Sequence, residues 1–248
     1  MVSTLEVLFS PMDYRARSKG GFAGSVCVVF DVLRATSVMI TGLANGATGF
    51  VPVEEIAEAI ALRAKYPGAL LAGERNGLRI TAAQSNGVEF DLGNSPREYS
   101  LDRIQGRTIV TTTTNGTRAL RSCASAPTVA ISSFLNLDAT AKWLTHLTPE
   151  RITLLCAGTA EFAALEDVLC AGALVDALSG MILDDSAVTA QYAYREAQKG
   201  LLPVITASRN GSRLQANPEL SEDIEFCLRQ NVHDFVAVLD SEGIVKRI

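Results

Sequence analysis

The sequence feature that most constrains the fold is an apolar run at residues 26–30, Val-Cys-Val-Val-Phe, which ends at Asp31. A run that is short, uninterrupted and rich in β-branched side chains is typical of a strand buried on both faces of a parallel sheet. Residues 33–43 then fit a helix. A strand followed at once by a helix predicts that Asp31 lies at the carboxyl end of the strand, where open α/β sheets bind their ligands.

The polar side chains of this strand-to-helix junction suit a phosphate group. Arg34, Thr36 and Ser37 fall in the first turns of the predicted helix, where unpaired N–H groups and a partial positive charge attract anions. Asp31 adds a carboxylate that can bind a cation. The alternative is that Asp31 and Thr36 only cap the helix while Arg34 points into solvent, and the residues of this junction alone leave both interpretations open.

The same strand–loop–helix unit recurs along the chain. Further strands are predicted at residues 48–53, 69–72, 107–112, 128–132 and 151–156, and helices at 54–65, 135–147, 161–178, 186–198 and 220–230. A closing pair of short strands is predicted at residues 235–239 and 244–245. Alternating strands and helices with short links are typical of an α/β protein. We therefore predict a layered α/β/α fold with a largely parallel or mixed sheet.

Length and composition allow one large folding unit. The chain has 248 residues, of which 48% are hydrophobic, and this is enough apolar material for a sizeable core. We predict a single domain over residues 1–248. If it divides into two lobes, residues 1–148 and 149–248, the boundary falls at Pro149 and Glu150.

Charge and cysteine usage exclude several classes of protein. The formal net charge of −5 argues against a general nucleic-acid binder, which needs a basic face. Five scattered cysteines, two histidines and no C-x-x-C pair argue against a zinc site and a disulfide framework, and favour buried thiols in a reducing cytoplasm. The first residues lack the order of a signal peptide, and acidic residues interrupt the most apolar long segment, so we expect no membrane span and a cytoplasmic location. The sequence does not decide whether the chain forms a homodimer.

Three further segments carry polar side chains like those that follow Asp31. They are Glu74 and Arg75 between two glycines, Asn94 and Ser95 before a proline, and Thr114, Asn115 and Thr117 in a hydroxyl-rich junction. In a parallel sheet such segments can meet at one edge, and we predict that they form a site for an oxyanion beside a divalent cation. The structural alternatives are a glycine turn with a solvated ion pair at residues 74–75 and helix capping at residues 94–96.

Two adjacent acids interrupt an apolar predicted helix. Because successive helical residues project about 100° apart, only one of Glu166 and Asp167 is expected to face the core, and that one is a metal-ligand candidate. The alternative is that both line an exposed stripe. With oxygen ligands, the metal expected is Mg²⁺, and its candidate ligands are Asp31, Glu74, Glu166 and Asp167. Neither G-x-x-x-x-G-K-[ST] nor G-x-G-x-x-G occurs, so nucleotide-dependent chemistry lacks its usual marker.

Two basic segments are predicted to be irregular. Residues 12–24 form a loop that carries Arg15, Arg17 and Lys19, and residues 209–213 form a basic turn. The cations of the first segment could reach an anionic ligand, but a solvated loop is the simpler interpretation.

Several of these segments together resemble one known family. DVLRATS at residues 31–37, AGERNG at 72–77, FDLGNSPREY at 90–99 and TTTNGTRAL at 112–120 are similar to motifs of the 2-phosphosulfolactate phosphatase family, as are EDVLCAG at 166–172 and residues 211–214. The resemblance spans about residues 5–230. The chain departs from the family pattern at residues 78–88, 230–231 and 236–237, which bears on the identity of the substrate.

The resemblance implies a fold of two interlocked parts and a magnesium-dependent hydrolase. Such an enzyme cleaves (R)-2-phospho-3-sulfolactate to 3-sulfolactate and phosphate, a step of coenzyme M synthesis in methane-forming organisms. The alternatives are a phosphatase for another phosphorylated hydroxy acid and a non-catalytic binder of phosphorylated or sulfonated metabolites.

We assign roles to the candidate residues on this hypothesis. Asp31 binds magnesium, while Arg34 and Arg75 hold phosphate and sulfonate. The other polar residues complete the oxyanion cradle: Thr36, Ser37, Asn94, Ser95, Thr114, Asn115 and Thr117. Whether Asp31 instead attacks phosphorus stays open. Haloacid-dehalogenase-type phosphatases use an aspartate in this way, but they carry a second aspartate two residues on, where this chain has Leu33.

Overall fold

The computed structural model describes residues 3–18 and 21–248, and the secondary structure below refers to them. The strands are β1 (Thr4–Leu8), β2 (Ser25–Phe30), β3 (Gly49–Val53), β4 (Leu70–Arg75), β5 (Leu78–Arg79), β6 (Thr108–Thr112), β7 (Thr128–Ser132), β8 (Arg151–Cys156), β9 (Ile182–Leu183), β10 (Ala237–Leu239) and β11 (Val245–Arg247). The helices are α1 (Pro11–Ser18), α2 (Ala35–Ala44), α3 (Ile56–Arg63), α4 (Leu101–Ile104), α5 (Gly116–Ser122), α6 (Leu137–Leu147), α7 (Leu165–Ala177), α8 (Asp185–Ala197), α9 (Leu201–Thr206), α10 (Arg209–Gln215) and α11 (Glu222–Cys227).

All strands belong to one mixed sheet, with the order β5-β4-β6-β3-β11-β10-β7-β2-β8-β1-β9. β7, β2, β8, β1 and β9 form one parallel group, and β4, β6 and β3 form another. The antiparallel pair β10 and β11, close to the carboxyl terminus, joins the two groups. The predicted α/β fold with a largely parallel or mixed sheet is confirmed.

The apolar run at residues 26–30 lies in β2, which is the buried centre of one parallel group. Every residue of β2 is buried, because β7 and β8 flank it in the sheet and hydrophobic clusters cover both faces. Val26, Val28 and Phe30 belong to one cluster, and Cys27 and Val29 to the other. This alternation is the two-residue period of a strand.

The position predicted as a lobe boundary does not interrupt the sheet. β8 begins directly after residues 149–150 and lies between β1 and β2, with which it pairs in parallel. The division into lobes at this position stays a prediction.

Two basic segments that we predicted to be irregular contain helices. Residues 11–18 form α1, where Asp13 accepts hydrogen bonds from the backbone N–H and hydroxyl of Ser10. Residues 209–215 form α10, where Ser208 acts as N-cap and accepts a hydrogen bond from Gly211 N at 3.1 Å. Both expectations were wrong because polar side chains cap the helix starts. Lys19 lies outside the described residues.

Two predicted element ends also differ. The helix predicted at residues 161–178 begins only at Leu165, because Gly158 and Ala160 adopt positive φ angles and a bridge between Thr159 and Phe162 turns the chain first. The strand predicted to end at residue 72 continues to Arg75 and forms a hairpin with β5.

No helix within residues 3–18 and 21–248 is long and apolar enough to cross a membrane.

The contact between α7 and α8 depends on a glycine. A Cβ added to Gly172 would lie 2.1 Å from the backbone oxygen of Ala190 and 3.0 Å from Cβ of Tyr194. The helix axes can therefore approach closely only while this position lacks a side chain.

We expect Gly172→Ala to lower the free energy of unfolding by about 1–3 kcal/mol, because overpacking forces α7 and α8 apart. Urea denaturation measures the change. The control is Gly200→Ala, where the added Cβ makes an ordinary contact at 3.5 Å. Equal stability of Gly172→Ala and the wild type would contradict the packing argument.

Candidate active site

Loops from both parallel groups of the sheet meet at one cavity of about 150 Å³. The predicted site residues that line it are Asp31, Arg34, Glu74, Asn94, Thr114 and Asn115. Leu33, Asn76, Gly77, Thr159, Ala160 and Arg213 complete the lining. The loops after β2 and β8 belong to one parallel group, and those after β4 and β6 belong to the other. Because three successive antiparallel pairings separate the two groups, their strands run in opposite directions, and it is tertiary packing that brings these four loops to the same cavity.

Asp31 is one of two buried acids that line this cavity, with 8% of its surface exposed; the other is Glu74. Its Oδ1 accepts a hydrogen bond from Ala35 N at 3.0 Å, whereas Oδ2 has no such partner within the described residues. A Cβ on Gly116 would come within 2.7 Å of Oδ2, so the glycine leaves space beside this oxygen. Burial, followed by the charges of Glu74 and Glu166, raises the pKa of Asp31 to about 6, although the Ala35 N–H and Arg34 act in the opposite direction.

Glu74 joins the β4–β5 hairpin to the β6–α5 junction. Its Oε1 accepts hydrogen bonds from the backbone N–H of Thr114 at 2.8 Å and from the hydroxyl of the same residue at 2.7 Å. Its Oε2 accepts one from Gly77 N at 2.7 Å. The carboxylate therefore holds two walls of the cavity at a fixed separation.

Arg34 is buried and bound to an acid that sequence analysis missed. Its Nη1 lies 2.7 Å from Oδ2 of Asp223, and its Nη2 donates to the carbonyl oxygen of Gly77. Asp223 is fully buried and also accepts hydrogen bonds from Ser95 Oγ at 2.6 Å and Arg97 Nε at 2.8 Å. Ser95 therefore contacts Asp223 and does not line the cavity.

Arg75 does not reach the cavity either. Its guanidinium donates to the carbonyl oxygens of Glu74 and Glu54 and to the hydroxyl of Thr112. Burial lowers the pKa of Arg75. The side chain therefore ties the ends of β3, β4 and β6 together.

Three predicted hydroxyl groups near the first turns of α2 and α5 donate hydrogen bonds to nearby backbone carbonyl oxygens. Thr36 Oγ1 donates to the carbonyl oxygen of Asp31 at 2.9 Å, and Ser37 Oγ donates to that of Val32 at 2.8 Å. Thr117 Oγ1 donates to the carbonyl oxygen of Thr113 at 2.9 Å. All three hydroxyl-bearing donors are buried, and none lines the cavity.

Glu166 and Asp167 are both buried, so the expectation that only one faces the core was wrong, as was the exposed-stripe alternative. Each acid has its own polar partners in the interior. Asp167 accepts hydrogen bonds from Val32 N and Gly158 N, at 2.8 and 3.1 Å. Glu166 accepts one from Asn210 Nδ2 at 2.5 Å. Burial raises the pKa of both carboxyls.

The described residues contain no group of three or more His, Cys, Asp or Glu side chains placed to hold a metal ion. Magnesium, however, is commonly held by one or two carboxylates together with waters and substrate phosphate. The free Oδ2 of Asp31, beside the carboxylate of Glu74, fits this second arrangement. Asp167 fits it less well because it is not among the residues that line the cavity.

The sequence contained weak signals for the residues that it failed to identify. Arg213 belongs to the basic segment at residues 209–213, yet the pattern did not show that α10 brings it to the cavity. Asp223 stands among the surface acids Glu219, Glu222 and Glu225. Nothing local distinguishes the one that is buried.

Comparison with known proteins identifies relatives over nearly the whole chain. The family model described as 2-phosphosulpholactate phosphatase matches residues 14–242. A protein of Thermotoga maritima named as a probable 2-phosphosulfolactate phosphatase is 42% identical over 212 residues, which cover 86% of this chain and 88% of the relative. A Caldicellulosiruptor saccharolyticus protein of the same name is 39% identical over 220 residues, covering 86% and 88%. A Clostridium perfringens protein, also of that name, is 36% identical over 220 residues, covering 86% and 85%.

These matches bear out two predictions, the resemblance drawn from the sequence motifs and the enzyme class, phosphoric monoester hydrolase. Since the family model spans most of the sequence and includes every loop that lines the cavity, the chain belongs to the 2-phosphosulpholactate phosphatase family.

Proposed function

We propose that this protein hydrolyses (R)-2-phospho-3-sulfolactate to 3-sulfolactate and phosphate in a magnesium-dependent reaction at the cavity around Asp31. Family membership supports the reaction type and the substrate. The observation that carries the assignment of the site is Asp31, which lines a small cavity formed by loops from both parallel groups of the sheet and whose Oδ2 has no hydrogen-bond partner among the described residues.

The residues of the cavity would hold the reacting groups in place. The Ala35 N–H fixes Oδ1 of Asp31, which leaves Oδ2 of this lining residue available to a ligand. Glu74 fixes the Thr114 and Gly77 walls, and Asn94 and Asn115 supply amide groups at the lining. Phosphoryl transfer to water depends mainly on such positioning and on charge stabilisation.

Magnesium would be held by Asp31 through Oδ2, with Glu74 beside it. When bound, the cation would neutralise charge on the phosphate and orient it for attack by water. Glu166 contributes negative potential from its interior site, since its charge acts on Asp31.

We also place the protein in the cytoplasm. All five cysteines are buried and free, as expected of a protein that stays in a reducing compartment.

Asp31→Asn is expected to lower kcat at least about 100-fold, because the variant loses the carboxylate that orients the reacting groups. Phosphate release from 2-phosphosulfolactate with Mg²⁺ measures the effect. Asp138→Asn, at an exposed acid of α6, is the control and should retain wild-type activity. Turnover by Asp31→Asn at the wild-type rate would exclude Asp31 from the mechanism.

Chelation should abolish phosphate release, and added Mg²⁺ should restore it. The assay compares 2-phosphosulfolactate with other phosphorylated hydroxy acids, in EDTA and then in Mg²⁺. Activity that persists in EDTA would contradict the magnesium requirement. A higher kcat/KM for another phosphorylated hydroxy acid would instead show a different physiological substrate.

Asp31→Asn should also stabilise the metal-free protein, and the gain should depend on pH. The pKa of Asp31 is raised in the folded state from 3.8 to about 6, so ionisation of Asp31 disfavours folding as the pH rises through this window. The variant avoids this penalty, which reaches about 3 kcal/mol above pH 6 and vanishes below about pH 4. Urea denaturation in EDTA at pH 4, 6 and 8 measures it. A stability difference that is the same at all three pH values would contradict the raised pKa.

A further inference from the structure

The guanidinium donors of the two predicted arginines are largely used within the protein, which leaves few of them for an anion in the cavity. An anionic substrate must approach Asp31 and Glu74, whose charges already act on each other. The Nη1 of Arg34 binds Asp223, and its Nη2 donates to the carbonyl oxygen of Gly77. Arg75 does not line the cavity, and its guanidinium donates to backbone carbonyl oxygens. Beside the proposed Mg²⁺, a further guanidinium group is therefore expected to contribute to binding of the anion.

Arg213 is a second arginine that lines the cavity, and its charge acts on the buried Glu166. It is exposed, lies in α10, and borders the same space as Asp31 and Glu74. Its guanidinium makes no hydrogen bond or ion pair with another of the described residues. It is therefore available to a phosphate group in the cavity.

A second, larger groove of about 720 Å³ adjoins the cavity. The two spaces share Thr114, Asn115 and Ala160 as lining residues. A substrate that places its phosphate near Asp31 can therefore extend its remaining groups across these residues into the groove.

Three arginines line this groove, and two of them are paired with acids. Arg15 forms an ion pair with Glu161, and Arg121 pairs with Glu54 and Glu58 at 3.3 and 3.1 Å.

Arg118 is the third arginine of the groove. It lies on the same helix as Arg121, α5, one turn after Asn115, and its exposed guanidinium has no such pair within residues 3–18 and 21–248. The groove therefore offers one uncommitted cation directly beside the residues that it shares with the cavity.

We propose that Arg118 binds an acidic group of the substrate other than the phosphate, while Arg213 binds the phosphate itself. This inference rests on the proposed function and deepens it, because it names a residue that selects substrates with an acidic group in addition to the phosphate. In 2-phosphosulfolactate that acid is the sulfonate or the carboxylate, both of which accept hydrogen bonds from a guanidinium.

The test compares three phosphate esters of a secondary hydroxyl: 2-phosphosulfolactate, 2-phospholactate, which lacks the sulfonate, and glycerol 2-phosphate, which lacks both further acids. Arg118→Gln should lower kcat/KM for 2-phosphosulfolactate about tenfold relative to glycerol 2-phosphate, the size expected for one lost charge-assisted contact. Arg118→Lys should restore part of the loss. Arg213→Gln should lower kcat/KM for all three esters by similar factors.

The result with 2-phospholactate identifies the group that Arg118 binds. If the relative loss disappears with 2-phospholactate, the partner is the sulfonate. If it remains there and disappears only with glycerol 2-phosphate, the partner is the carboxylate. Arg121→Gln is the matched control from the same helix and groove, and it should leave the ratios among the three substrates at wild-type values.

Equal losses with all three esters, or no loss with any, would overturn the role of Arg118. These outcomes differ from a failure of the proposed function, in which the wild-type protein itself would release no phosphate from 2-phosphosulfolactate.

Discussion

The geometry of the site depends on the buried ion pair between Arg34 and Asp223, whose side chains are 3% and 0% exposed. Asp223 comes from α11, and through it the carboxyl-terminal part of the chain holds the loop after β2 and the loop of Ser95 and Arg97. A fully buried carboxylate is tolerable only when its charge and lone pairs are satisfied. Removal of Asp223 would leave the buried guanidinium of Arg34 without its ion-pair partner, which costs roughly 3–5 kcal/mol.

This pairing changes how the polar residues of the family motifs are interpreted. Arg34, Thr36 and Ser37 stand in one motif, and their chemistry suits an oxyanion. In the structure their donors serve Asp223 and backbone carbonyl oxygens, so they shape the loop that carries Asp31. Glu74 acts in the same manner on the opposite wall. Much of the conspicuous polarity of these segments therefore builds the cavity, and a smaller set of groups faces it.

Acidic and basic side chains occupy different sides of the site. Buried carboxyls with raised pKa values, Asp31, Glu166 and Asp167, surround the interior side of the site, whereas the uncommitted guanidinium groups of Arg118 and Arg213 lie on its exposed side. Such an arrangement suits a cation held deep beside Asp31 and an anionic substrate that enters from the exposed side. Binding of both would relieve the mutual repulsion of the acids.

Local patterns were sufficient for the elements and for most loops of the site. The apolar run of β2, the strand–helix alternation and the polar junctions around Asp31, Glu74 and Thr114 are properties of short segments, which follow from side-chain periodicity and backbone propensity. They predicted the α/β fold and half of the residues that line the cavity, and the resemblance of the motifs predicted the family. They were less accurate at α1 and α10, where capping side chains override loop-like composition.

The sequence by itself determined most of the strands, the fold class and the junctions that carry the candidate chemistry. Only the tertiary structure decided which polar groups face the cavity, that both Glu166 and Asp167 are buried, and that Asp223 is the partner of Arg34. It also inserted β10 and β11 between the two parallel groups. The physical reason is distance along the chain: burial and charge pairing between residues 189 positions apart are set by how the elements pack together, and no local periodicity records them.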